Sequence, residues 1–173
     1  MLKKIIMIWL VSCVGLIGGV AFADSLAGNN LDDSTIEKNV KSALDTSEHP
    51  GNYIVVSYKQ HVLLAGQVPT ASVKEDAEET TTKVVGVVKV WNYLKIQKNE
   101  TTADIAKDSY LTSMAKAKLL TKTDINSNNI KVITVDRVIY LLGDDVGDKK
   151  ELNQVIKNIK SSKGVRDLVN LTF

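Results

Sequence analysis

The residues able to do acid–base, nucleophilic or metal chemistry are few and scattered. Two histidines, His49 and His61, one cysteine, Cys13, and the acidic run Asp144-Asp145 with Asp148 make up the inventory. His49 sits beside Pro50 in a loop, and His61 at a strand start has no orienting partner, which makes it a poor general base. The acidic run has the look of a cation loop but lacks the spacing and the bidentate glutamate of an EF-hand, so it reads as a solvated turn. There is no Cys/His metal spacing, no G-x-S-x-G, no P-loop and no G-x-G-x-x-G. The expectation is a binding protein and not an enzyme, with no catalytic residues, no metal and no cofactor.

What the chain does offer is a surface. It is a repeat, and one helix departs from its twin. The run His61-Val62-Leu63-Leu64-Ala65-Gly66 recurs as Val138-Ile139-Tyr140-Leu141-Leu142-Gly143, each copy preceded by a second β-prone run and two polar residues, Lys59-Gln60 or Asp136-Arg137. Gly86 and Gly164 recur behind them, and Asp33 lines up with Asp108. Superposing the copies keeps one apolar helical stripe, Ile36/Leu111, Val40/Ala115 and Leu44/Leu119, and replaces Thr35, Asn39 and Ser42 by Tyr110, Met114 and Ala117. The replacements lie at i, i+4 and i+7, next to Leu111, with Lys107, Lys116, Lys118 and Lys122 beside them. An aromatic residue with apolar neighbours and basic flanks suits the interface of an anionic membrane. The same strip suits packing against the first copy, and composition does not choose between the two.

The elements that must hold this strip follow from periodicity. Ser34-Thr35-Ile36-Glu37 has capping-box spacing. Ile36, Val40, Ala43 and Leu44 then form an amphipathic stripe. A hairpin is expected over 53–66, because two β-prone runs are separated by two polar residues. Val73, Ala77, Thr81 and Val84 mark a second helix whose Lys74-Glu75-Asp76 and Glu78-Glu79 face solvent. Gly86 stops it, and a third strand covers 87–96 with Val88, Val90 and Leu94 alternating. In the second copy Asp108 is expected to cap a helix running to about Leu120. A hairpin over 130–143, a helix through Leu152, Val155, Ile156 and Ile159, a stop at Gly164 and a strand over 165–173 complete it. Gly66 and Gly143 are read as structural, placed where the backbone turns with positive φ or passes too close for a Cβ. The class is α+β: two tandem αββαβ units, each with two helices on a small three-stranded mixed sheet. Units of about 65 residues bury barely enough surface to fold alone, so the copies are expected to pack on each other or on a partner.

The amino terminus reads as an export signal. Met1-Leu2-Lys3-Lys4 is a positive start, residues 5–20 are apolar, and Ala21-Phe22-Ala23 fits signal peptidase. Leu10-Val11-Ser12-Cys13 also fits a bacterial lipobox, with Cys13 as the lipidated residue, and both cleavages stay open. Residues 24–32 read as a tether, 33–97 as the first domain, 98–106 as a linker and 107–173 as the second domain. The full chain has 22 basic and 20 acidic residues. Removing 1–23 removes Lys3, Lys4 and no acid, leaving 20 of each, so no global attraction to nucleic acid is expected.

Two αββαβ units with a hydrophobic-x-Leu-x-Gly strand resemble the BON (bacterial OsmY and nodulation) domain family. Two of them behind an export signal resemble its tandem outer-membrane lipoproteins, across essentially the whole mature chain. The stretches that carry this are Leu31-Asp32-Asp33, Val62-Leu63-Leu64-Ala65-Gly66-Gln67 and residues 108–120. The resemblance implies a non-enzymatic periplasmic protein that binds anionic phospholipid through the first helix of its second domain. It implies a role in outer-membrane integrity and a link to the outer-membrane protein assembly machinery. It maps the family's tryptophan anchor onto Tyr110 and its lipobox onto Cys13. The alternative within the family is a soluble, stress-induced periplasmic protein of the OsmY type that holds client proteins.

Overall fold

The computed structural model describes residues 31–45, 49–97 and 101–173. The export signal, the lipobox with Cys13 and residues 24–30 of the tether lie outside the described residues, as do 46–48 and 98–100. The first unit comprises α1 (Asp33–Leu44), β1 (Asn52–Tyr58), β2 (His61–Val68), α2 (Ala71–Thr82) and β3 (Lys89–Ile96). The second comprises α3 (Thr102–Leu120), β4 (Ile130–Val135), β5 (Val138–Gly143), α4 (Lys149–Lys160) and β6 (Asp167–Thr172), with a short 3-10 turn at Ser127–Asn129 ahead of β4. In each sheet the strand that carries the repeated glycine, Gly66 or Gly143, is central. β2 pairs antiparallel with β1 and parallel with β3, and β5 does the same with β4 and β6. The fold class is the expected one.

Both hairpin turns place two non-glycine residues in the left-handed region. Lys59 and Gln60 have φ of 46° and 66°, Asp136 and Arg137 of 50° and 61°. Positive φ at both positions is the turn geometry whose twist matches that of the flanking strands. A carboxylate from the neighbouring helix holds each turn. Asp33 accepts from the Lys59 and Gln60 amides at 2.7 and 2.9 Å, and Asp108 accepts from the Arg137 amide at 2.9 Å. This corrects the sequence reading of Asp108 as a helix cap. It lies inside α3, buried, because the turn needs an acceptor more than the helix needs a second cap.

The caps themselves lie elsewhere. Asp32 caps α1, its carboxylate accepting from the Thr35 amide at 2.9 Å, while Glu37 bonds the Ser57 amide instead of closing a box with Ser34. α3 begins at Thr102 behind a true box between Thr101 and Asp104. Residues 102–106, expected as linker, are therefore helix. Leu31 also leaves the expected tether and packs on the first core. Val88 is 67% exposed ahead of β3, so Val87, Val90 and Leu94 face the core in its place.

Each pair of helices covers one face of its own sheet. Ile36, Val40 and Leu44 meet Val62, Leu64 and Leu94; Leu111, Ala115 and Leu119 meet Ile139, Leu141 and Ile159. The other faces of the two sheets pack against each other. Leu63 and Ala65 of β2 meet Tyr140 and Leu142 of β5, with Val135, Val138 and Leu171 around them. The molecule thus has four layers: helices, sheet, sheet, helices. Because β2 and β5 are buried on both faces, they read as unbroken apolar runs. Charged residues close the rim. Lys131 reaches Glu37 at 3.2 Å and the Ser57 carbonyl at 2.6 Å. Asp136 takes Lys95 at 2.9 Å and also Arg166, and Asp144 takes Lys59 and the Tyr58 hydroxyl. Phe173 lies against His61 with centroids 4.4 Å apart, and Trp91 stacks on His61 at 5.4 Å.

The repeated strand glycines are steric requirements. A Cβ on Gly66 would stand 1.9 Å from the Asn52 carbonyl oxygen, and one on Gly143 would stand 2.3 Å from that of Asn129. Gly66 also has φ +121°. Gly66→Ala and Gly143→Ala should each cost at least ~2 kcal/mol in urea unfolding. Gly164→Ala, where the nearest atom is 3.7 Å away, should cost only the left-handed backbone penalty of ~1–2 kcal/mol. The sheet interface makes a second prediction. Leu142→Ala, in the second domain, should lower by about 2–5 kcal/mol the unfolding transition reported by the fluorescence of Trp91, in the first. An unmoved Trp91 transition would mean that the domains unfold independently.

Candidate functional site

The extended start of α3 separates the two copies. Tyr110 is 68% exposed on this helix and Ala117 is exposed too. Met114 is half-buried against the core of its own domain, and Leu111 is in that core at 3% exposure. The strip expected along α3 is thus not one continuous exposed face. It does not pack on the first domain either, whose contact with the second runs through the sheets. Exposed Ile105 extends the apolar surface one turn toward the helix start.

The basic partners also differ from those expected along the helix. Lys118 donates to the carbonyl and side-chain oxygens of Asn158 at 3.1 and 2.6 Å and to Ser162 at 2.8 Å, which ties α3 to α4. Lys122 pairs with Glu151 at 2.8 Å. Lys116 is exposed but lies six residues beyond Tyr110, about 9 Å along the axis. Of the cations near Tyr110, Lys107 is the one expected along the helix, and the other two come from other elements. An open cleft of about 440 Å³ runs beside it, with Leu111 as floor and Lys107, Arg137, Lys163 and Gly164 around it. Arg137 arrives from the β4–β5 turn and Lys163 from the α4–β6 loop. Neither was singled out from the sequence, because a search along one helix cannot see two loops. The signal existed in the repeat: Arg137 replaces Gln60 and Lys163 replaces Val85.

The residues weighed for catalysis have structural work. The His61 ring lies 2.8 Å from the Lys59 carbonyl oxygen and stacks on Trp91, and His49 meets the Thr80 hydroxyl at 3.2 Å. Asp144 is at the domain interface, the Asp145 carbonyl accepts from Asn126 and Asn129, and Asp148 caps α4. Among the described residues no three metal-ligating side chains come together, and no helix is long and apolar enough to cross a membrane.

Beneath the cleft the twin aspartates differ. Asp33 accepts from the Ser57 hydroxyl at 2.6 Å and from the two turn amides. Burial pushes its carboxyl up, but those bonds and the charge of Lys131 outweigh it and leave it below the ordinary value. In the second copy Thr134 stands where Ser57 does, and its hydroxyl accepts from Thr112 at 2.8 Å instead. One buried oxygen of Asp108 is left without a partner, and burial raises its pKa.

The family described as BON domain matches residues 32–98 and again residues 107–172. The outer membrane lipoprotein DolP of Haemophilus influenzae is 36% identical over 146 residues, covering 79% of this chain and 76% of the relative. The osmotically-inducible protein Y of Escherichia coli is 33% identical over 147 residues, covering 83% and 73%. A 21 kDa hemolysin of Actinobacillus pleuropneumoniae is 28% identical over 148 residues, covering 83% and 76%.

The aspartate pair predicts effects of opposite sign. The lowered pKa of Asp33 gives stability that is present above the ordinary carboxylate value and lost as pH falls through the folded value. The raised pKa of Asp108 gives stability that is present only in acid and lost as pH rises through its folded value. At pH 7, Asp33→Asn should destabilise by about 1–3 kcal/mol, since an amide cannot accept at both oxygens. Asp108→Asn should be neutral or stabilising at pH 7, where it removes a buried charge, and its advantage should vanish in acid. Urea unfolding at pH 4 and pH 7 reads both.

Proposed function

Because this chain belongs to the BON domain family, with one domain in each half, we propose that it is a non-enzymatic protein that binds anionic phospholipid at the periplasmic face of the outer membrane. It makes contact through the start of α3 and supports the integrity of that membrane. The single observation that carries this reading is Tyr110, two-thirds exposed on a helix that its own twin leaves polar, with three cations around the adjacent cleft. A phenol ring stable in water only at a hydration cost is placed where insertion at a lipid interface relieves that cost. The name of the Haemophilus relative, an outer membrane lipoprotein, supports the location, and Cys13 is the residue that a lipid would modify. A link to the outer-membrane protein assembly machinery rests on the family resemblance alone.

The 33% identity to the osmotically-inducible protein supports a second reading, a soluble periplasmic protein that holds client proteins. Vesicles separate the two. The chain from Asp24 onward should co-sediment with phosphatidylglycerol vesicles and not with phosphatidylcholine vesicles. Tyr110→Ala should weaken that binding several-fold or more, as expected from losing an apolar anchor worth roughly 1–3 kcal/mol. Thr35→Ala, the twin position, should leave it unchanged. If both variants bind alike, or the protein ignores anionic vesicles, the membrane reading falls and the client-holding one gains.

A further inference from the structure

We propose that the cleft beside Tyr110 is a headgroup seat: Arg137 and Lys163, with Lys107, hold the phosphate of one anionic glycerophospholipid while Tyr110 lies along its glycerol and acyl portion. This rests on the membrane reading and adds to it a discrete site, completed by two residues outside α3, with a stated chemistry.

The internal twin supplies the argument. At the corresponding place in the first domain the cleft has a similar volume, about 460 Å³, but its lining is Leu31, the two acids Asp32 and Asp33, Lys59 and Gln60. Leu31 packs there, so close that a Cβ on Gly86 would meet its side chain at 3.2 Å. In the second domain the position of Leu31 is held by the smaller Ala106, within the extra turns of α3, and the cleft of about 440 Å³ is lined by three cations and Tyr110. That volume is in the range of roughly 300–1,000 Å³ usual for small-ligand sites. Gly164 keeps the left-handed backbone of Gly86, φ +92° against +91°, but has no side chain pressed onto it.

The charges around this one groove change together. Asp32, Gln60 and Val85 of the first copy become Lys107, Arg137 and Lys163, while Thr35 becomes Tyr110. An acid, an amide and an aliphatic residue are thus replaced by three cations, and a hydroxyl by an aromatic ring. Lys107 shares Asp104 at 3.2 Å in an exposed pair that costs little to open. The side chains of Arg137 and Lys163 have no partner among the described residues. A guanidinium with free N–H groups and an ammonium beside it are the donors that a phosphate oxygen needs. The neighbouring acids do not compete for them. Asp136 is taken by Lys95 across the domain interface and by Arg166 of its own domain, and Asp108 is buried below, bonded to the Arg137 amide.

The test uses the protein from Asp24 onward and substitutions at exposed positions. Arg137→Gln restores the residue that the twin turn carries at φ +66°, so the fold is kept; Trp91 fluorescence checks it. Each of Arg137→Gln and Lys163→Gln should weaken binding to phosphatidylglycerol vesicles about five-fold at low salt, and the pair about 25-fold, with a flatter salt dependence. Lys116→Gln, on the same helix but away from the cleft, should change binding less than two-fold. Amide NMR titration with monomeric dihexanoyl-phosphatidylglycerol should shift Tyr110, Arg137 and Gly164 together, and dihexanoyl-phosphatidylcholine should not. Inorganic phosphate should produce a weaker response that spares Tyr110. If Lys116→Gln costs as much as Arg137→Gln, the attraction is diffuse and the seat is refuted. If inorganic phosphate binds as tightly as the lipid, the lipid source is refuted. If Tyr110→Ala weakens vesicle binding while the two cation variants do not, this proposal fails and the membrane reading stands. If the wild type ignores anionic vesicles, the membrane reading fails first.

Discussion

The contact on which the rest of the structure depends is the meeting of the two sheets back to back. Leu63 and Ala65 on one side and Tyr140 and Leu142 on the other are removed from water at the centre of this joint. A unit of about 65 residues with two helices on one sheet face would leave the second face wet and would be marginal alone. Doubling the unit and joining the bare faces resolves both problems at once. It also explains why the strand with the repeated glycine is central in each sheet. A strand buried on both sides can carry an unbroken apolar run, and its backbone approaches its neighbour too closely for a Cβ at Gly66 and at Gly143.

This packing decides where function can sit. Both sheet faces are consumed, so the surfaces left for recognition are the helices and the loops at their ends. The two helix layers began alike and diverged. In the first, the chain preceding α1 folds down as Leu31 and Asp32, the one lining a groove and the other capping the helix. In the second, the same stretch is drawn into α3 by a capping box whose Thr101 lies six residues upstream of Lys107, the match of Asp32, and the small Ala106 lines the groove in place of Leu31. A change in where a helix begins accompanies a change of lining at that corner, from two acids to three cations and an aromatic ring.

The fold was legible because its signals are local and occur twice. Periodicity located the helical stripes of α1, α3 and α4, and repetition located the hairpins even though their turns lack asparagine and glycine. Helix starts were misread because acids near a helix end have several uses. Asp108 looks like a cap and is a clamp on the opposite turn; Glu37 looks like half a box and reaches a strand amide. The candidate site was legible only in part. Tyr110 stood out by comparison with its twin, whereas Arg137 and Lys163 join it only through the fold, from a turn 27 residues and a loop 53 residues further along the chain. Lys118 drew attention by proximity in sequence and is spent on holding α4.

The layering has a consequence for how such a body meets a surface. The outer face of α2 carries Glu75, Asp76, Glu78 and Glu79, all exposed, and lies on the side of the molecule opposite α3 and α4. A chain with no net charge after its first 23 residues is therefore an electric dipole, acidic at one pole and basic at the other. Under the membrane contact proposed above, such a body would turn before it touches a negatively charged lipid surface, as a compass needle does, with its basic pole first. The packed sheet-to-sheet joint would carry that torque into the first domain, so its acidic α2 would face the aqueous side.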